Sequence, residues 1–185
     1  VCFLTPGLKM NTLLKESDAW TSGMKLALEQ AQQAFDEGEI PVGAVLLDAG
    51  GECLAAARNQ SIRLQDPSAH AEIQVLRSAA RVKKNYRLPG TVLLSTVEPC
   101  LMCAGALVQA RIAGLIFGTA DEKAGAIVSR ISIFEAFPWL NHRFWIQGGL
   151  LAEQSRSLLQ VFFAEKRKTN CAAQTLSGRE PPGSE

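Results

Sequence analysis

The sequence predicts an α/β fold in which a five-stranded sheet is covered by helices on both faces. Three observations carry this prediction. Strand-type and helix-type segments alternate along the chain, the first helical segment has a one-sided apolar stripe, and the first two strands are joined by a hairpin signal. Residues 19–38 read as the first helix, with Trp20, Met24, Ala27, Leu28, Ala31 and Phe35 on one side and Gly38 as the stop. Residues 42–47 and 52–57 are strands around Asp48-Ala49-Gly50-Gly51, whose residue types suit a tight turn. Asp66-Pro67-Ser68 is a helix-start signal, and residues 69–81 continue as a helix with Ile73, Val75, Leu76 and Ala79 apolar. A strand at 91–97 leads to Pro99, which opens a helix running to about Ala110. Residues 113–117 form the next strand, 144–146 a short one, and 153–168 the last helix; the apolar stretch 127–140 does not resolve into helix or strand.

Length and composition bound the function. At 185 residues with 47% hydrophobic and 20% charged content, the chain is one domain's worth and can build a core. The expected organisation is a poorly ordered extension at 1–18, a domain at 19–168 and a disordered Gly/Pro/Ser-rich tail at 169–185. No apolar run approaches the roughly 20 residues needed to span a bilayer, so no membrane partner is expected. The first residues lack a charged n-region and a full apolar stretch of a secretory signal, and five cysteines is an odd number. A reducing cytoplasm is the natural compartment. Net charge is +1, so any nucleic-acid contact must rest on local patches. One is Arg81, Lys83, Lys84 and Arg87 around Tyr86; the other is Lys166-Arg167-Lys168 after Phe162-Phe163. Cations can meet phosphates while aromatics stack on unpaired bases, and both patches also read as solvated helix ends.

The chemistry lies in His70-Ala71-Glu72 and Pro99-Cys100-Leu101-Met102-Cys103. A catalytic zinc takes three protein ligands and keeps a fourth position for water, and His70, Cys100 and Cys103 supply that count. Such an ion lowers the pKa of its water to about 7, and Glu72 is left free to move protons. Cys100 and Cys103 are three apart and share a helix face near the positive end of its dipole, which favours thiolates. His70 and Glu72 are two apart, so they address one site only by flanking it or if the first turn is not fully helical. Taken alone, C-x-x-C also reads as half of a structural zinc site or a redox pair. A closed structural site would need a fourth ligand from Cys2, Cys53, Cys171 or His142, which stand in unrelated contexts, and redox use would leave His70 and Glu72 without a role. H-x-E with P-C-x-x-C is the signature of the zinc deaminases.

From these motifs outward, the chain resembles the bacterial tRNA-specific adenosine deaminases over residues 20–168. The resemblance runs through Glu39-Ile40-Pro41-Val42-Gly43-Ala44-Val45, Asp66 to Ile73, Thr96 to Ala106, Phe117-Gly118, Asp121 to Ala126 and Asn141-His142-Arg143. It implies a cytidine-deaminase-like, three-layer α/β/α architecture around a mixed five-stranded sheet. It also implies one zinc ion per subunit, a homodimer, and hydrolysis of adenosine to inosine at the wobble position of a tRNA anticodon, with arginine tRNA the expected substrate. In that family an asparagine matching Asn59 contacts the base, and positions matching Asp66, Asp121, His142 and the Phe162-Phe163 segment lie near the anticodon loop. Each has a plainer reading: Asn59 in a turn, Asp66 as a helix cap, His142 at a strand edge. Two other functions use the same metal kit, namely deamination of a free nucleobase such as guanine or cytosine, and a non-catalytic zinc-stabilised interaction domain.

Overall fold

The computed structural model describes the backbone of residues 10–177 and the side chains of 18–169. The sheet has the order β2-β1-β3-β4-β5, built from β1 (Gly43–Leu47), β2 (Cys53–Arg58), β3 (Val92–Val97), β4 (Gly114–Thr119) and β5 (Trp145–Gly148). β1 is antiparallel to β2 and β3, whereas β3, β4 and β5 are parallel. The sheet is therefore mixed and five-stranded, as the resemblance implies.

Alternation along the strands explains the layers, because successive side chains point to opposite faces. Ala44, Leu46, Leu93, Leu115 and Phe117 meet Val75, Leu76 and Ala79 of α3 (Ala71–Lys83) and Leu107 and Val108 of α4 (Leu101–Ala110). On the other face Val45, Leu47, Leu94 and Ile116 meet Met24 and Ala27 of α1 (Met10–Asp36). The last helix, α6 (Ala152–Ser177), lies beside α1 over β4, where Phe162 packs on Phe35 with ring centroids 5.6 Å apart. Two short helices, α2 (Ser61–Leu64) and α5 (Ile133–Ala136), sit in the connections.

Local chemistry fixes the joints. Gly38 ends the regular part of α1 at φ +78°, a conformation that costs a side-chain-bearing residue energy. Gly43 lets β1 approach α1, since a Cβ there would overlap the Ala27 carbonyl oxygen. In the hairpin, Asp48 Oδ1 accepts from the Gly50 and Glu52 amides at 2.8 and 3.0 Å. Several element boundaries differ from the sequence reading. α1 begins at Met10 and α6 continues to Ser177, so helices cross both expected domain boundaries, at residues 18/19 and 168/169. The rest of the expected extension and tail, residues 1–9 and 178–185, lies outside the described residues. Within 127–140 the structure places only α5, whose Ile133 packs into the core, and the stretch is otherwise turns and irregular backbone, from which Ile127 joins the same core. No helix of the described residues is long and apolar enough to cross a membrane.

Candidate active site

The site forms at the C-terminal ends of β3 and β4, where open α/β sheets leave a crevice. A cleft of about 760 Å³ opens there, with His70, Glu72 and Cys100 among its lining residues. The expected helix start at residue 69 moves to Ala71, because Asp66 Oδ1 takes both the Ser68 amide and hydroxyl at 2.7 Å and holds residues 66–68 in a turn. His70 is consequently the N-cap residue of α3 and is extended, at φ −69° and ψ 152°. That resolves how two residues only two apart converge: one precedes the helix and the other belongs to its first turn. Cys100 is likewise the extended N-cap residue of α4, with Cys103 one turn inside. Both helices thus aim their N-termini at the same point, and the partial positive charge there favours anionic ligands.

His70 Nδ1 lies 3.6 Å from the sulfur of Cys100 and 3.6 Å from that of Cys103. All three donor atoms fall within 4.8 Å of one another. Tetrahedral zinc with bonds of about 2.3 Å to sulfur and 2.0–2.1 Å to nitrogen separates a nitrogen from a sulfur by roughly 3.5 Å. The donor set therefore fits zinc in both type and spacing. The neighbouring Cys103 thiol, together with His70, holds Cys100 down to about 4 against the opposing effect of burial, so this sulfur is a thiolate. Cys103 is pushed well up by the Cys100 sulfur and by its own burial, and the contact with Cys100 raises His70. A divalent cation reverses this balance by favouring both thiolates and the neutral imidazole.

Glu72 is buried beside the triad, 3% exposed, with Oε2 3.6 Å from the Cys103 sulfur. Burial raises its pKa, which makes the carboxyl a better proton carrier near neutrality. The Ser95 hydroxyl on β3 donates to Oε1 at 3.3 Å and fixes the carboxyl plane.

The structure separates the remaining sequence candidates. Asn59 lines the cleft, 5% exposed, and its Nδ2 donates to Glu39 Oε2 at 3.1 Å. Asp121 lines it too, with Oδ1 accepting from the Lys123 and Ala124 amides at 2.9 and 3.1 Å. Phe163 is exposed on the cleft side of α6, but Phe162 is 5% exposed and held between Phe35 and Phe163, so no base can stack on it. His142 is at the opposite end of β4, its Nε2 donating to the Ile112 carbonyl at 2.7 Å, which is the plainer of its two readings. Asp66 stands outside the lining, its second oxygen 3.5 Å from Arg77. The patch from Arg81 to Arg87 lies at the far end of α3, about 20 Å of helix away from His70. Of Lys166-Arg167-Lys168 only Arg167 reaches the lining; Lys166 sits over the Phe162 ring at 5.3 Å.

Two buried carboxylates were not among the sequence candidates. Glu39 accepts from Asn59 and, at 2.7 Å, from the Arg63 amide. Glu98 gathers the segment 121–129; burial pushes its pKa up, but the Ser129 hydroxyl and several amides outweigh this and keep it below the ordinary glutamate value. The one signal is Glu98, a carboxylate between Val97 and Pro99; Glu39 follows Asp36-Glu37-Gly38 and reads as one more solvated acid at a helix end.

Residues 18–119 match the model of the cytidine and deoxycytidylate deaminase zinc-binding region. A tRNA-specific adenosine deaminase of Haemophilus influenzae is 46% identical over 145 residues, which is 78% of this chain and 83% of that protein. One of Agrobacterium fabrum is 42% identical, over 80% of this chain and 95% of its own length. Among solved structures, one described in work on A-to-I editing by tRNA:A34 deaminases at the wobble position is 40% identical, with a TM-score of 0.72 over 75% of this chain and 99% of that one. With its donor triad, its buried glutamate and its sheet all in this arrangement, the chain belongs to the tRNA-specific adenosine deaminase family.

Proposed function

We propose that this chain hydrolyses adenosine to inosine at the wobble position of a tRNA anticodon, with arginine tRNA as substrate. It does so with one zinc ion per subunit, as a cytoplasmic homodimer. The observation that carries the RNA reading is the wall of the cleft. Arg156, Leu159, Gln160, Phe163 and Arg167 of α6 all line it, spaced so as to form one helix face. Two guanidinium groups and an exposed aromatic ring beside a deaminating centre suit phosphates and an unpaired base better than they suit a small free base.

His70, Cys100 and Cys103 would hold the zinc, which when bound supplies a Lewis acid and a water acidic enough to attack at neutral pH. Glu72 removes a proton from the attacking water and delivers it to ring N1. The C6 carbon gains the hydroxyl oxygen, and Glu72 takes the remaining hydroxyl proton and passes it to the departing amine, so that the C6–N bond breaks and water and adenosine become inosine and ammonia. Asn59, which lines the cleft and whose amide can both donate and accept, would contact the base. Taking the base from a loop keeps the cost of unstacking low.

Inosine formation in an arginine tRNA anticodon stem-loop, compared with turnover of free guanine, cytosine and adenine, tests the reading. Turnover of the stem-loop alone is expected; turnover of free bases alone would overturn it. Glu39→Ala is expected to raise KM for the stem-loop about tenfold, the scale of a lost hydrogen bond to a charged group, while zinc content holds. An unchanged KM would detach Asn59 from substrate binding.

A further inference from the structure

Glu98 is at the end of β3, two residues before the first cysteine ligand, and is 2% exposed. Its Oε1 accepts from three consecutive amides, Ile127 at 3.0 Å, Val128 at 2.8 Å and Ser129 at 3.0 Å. Its Oε2 accepts from the Asp121 amide at 3.1 Å and from the Ser129 hydroxyl. Successive amides converging on one point form an anion-binding nest, and here the anion is a side chain of the protein itself. Two further contacts tie the same segment to the cysteine motif. The Ala126 amide donates to the Pro99 carbonyl at 2.9 Å, and Gly125 bridges to Cys100. Gly125 has no alternative here: a Cβ would lie 2.5 Å from the Asp121 carbonyl oxygen and 2.5 Å from the Glu98 carboxyl carbon.

We infer that Glu98 is a positioning residue that latches segment 121–129 to the metal-ligand strand and so presets the wall of the cleft that meets RNA. Residues 121–124 of that segment line the same cleft as the α6 face. The latch needs both oxygens of a carboxylate, because backbone amides converge on each of them; a glutamine can keep the amides at one oxygen but turns an N–H donor toward those at the other. This inference rests on the RNA reading, and wild-type turnover of the stem-loop is measured first so that the two can fail separately.

The test uses the full zinc-loaded chain with Glu98→Gln and, as a milder change at an exposed residue, Ser129→Ala. For Glu98→Gln the expected result is a rise of about tenfold or more in KM for the stem-loop, with kcat within about threefold and zinc content unchanged, and faster hydrogen exchange at whichever of the Asp121 amide and the Ile127, Val128 and Ser129 amides then face the amide nitrogen. Ser129→Ala is expected to shift KM and exchange in the same direction by less, and decides the matter if Glu98→Gln does not fold. Unchanged exchange and KM would overturn the latch. Loss of zinc, or a fall in kcat at constant KM, would overturn it as well, by placing the action of Glu98 on the metal centre.

Discussion

Glu72→Ala is expected to keep its zinc and to lose roughly 10²–10⁴-fold in turnover, the range that a positioned proton carrier contributes. The carboxyl is not one of the three donor atoms that cluster at ligand spacing, so its removal leaves the donor set whole. What disappears is the only carboxyl in contact with that cluster among the described residues, reached through Cys103 and oriented by Ser95. Glu72→Gln separates charge from shape: it can still accept from Ser95, but it cannot take a proton from water and return it to the ring. Both variants should therefore be equally inactive on the stem-loop, with zinc measured by metal analysis on the same samples. Unchanged turnover in either would remove Glu72 from the mechanism. An active site that bound zinc for structure alone would show no turnover even in the wild type, so the pair also discriminates catalysis from a zinc-stabilised interaction domain.

The donor triad and Glu72 were legible because the proposed chemistry constrains them locally. A metal needs donors of particular types, and the C-x-x-C spacing and the helix-start proline sit in one short stretch of chain. The sheet was legible for a similar reason, since central strands covered on both faces leave short continuous apolar runs such as Gly43–Leu47, and the first two are separated by turn residues. Glu39 and Glu98 were not, because a carboxylate that serves backbone amides 23 to 31 residues away leaves no pattern in the sequence of its partners. Backbone donors are the same at every residue except proline.

Neighbouring residues make the same point at finer scale. Phe162 and Phe163 are equivalent in sequence, yet they point about 100° apart on a helix, and only the packing of α1 against α6 decides which is core. The Arg81 to Arg87 patch reads like an RNA contact in sequence. It lies away from the cleft because α3 begins at His70 of the donor triad and carries its C-terminus to the other end of the sheet. His142 was separated from the site in the same way, by the length of β4. The first and last helices overran their expected ends because propensity and apolar stripes mark where a helix packs, not how far it extends beyond the contact.

Cys103→Ala is expected to fold, to lose more than about 10² in zinc affinity, and to lose turnover with it; even outer-shell changes cost 10- to 100-fold at such sites, and this one removes a ligand. Alanine suits the third position of α4, and the side chain it replaces is small and fully buried, so stability should fall only modestly. The informative readout is the pH dependence of zinc affinity, measured by competition with a chelator. In the metal-free protein Cys103 is held in its protonated form by Cys100 and by burial, so zinc can use this sulfur only by displacing the proton. Affinity must then rise with pH, by about one log unit per pH unit for each proton displaced. His70, whose pKa is also raised, adds its own proton to the slope at the lower end of the range, while Cys100, already a thiolate above about 4, adds none. Removing Cys103 deletes one proton from the count, so the variant's slope should be shallower by about one unit on top of the loss in affinity. A variant that kept both wild-type affinity and wild-type slope would show that the second thiol of the motif is a bystander, and that zinc is held by a different set of groups.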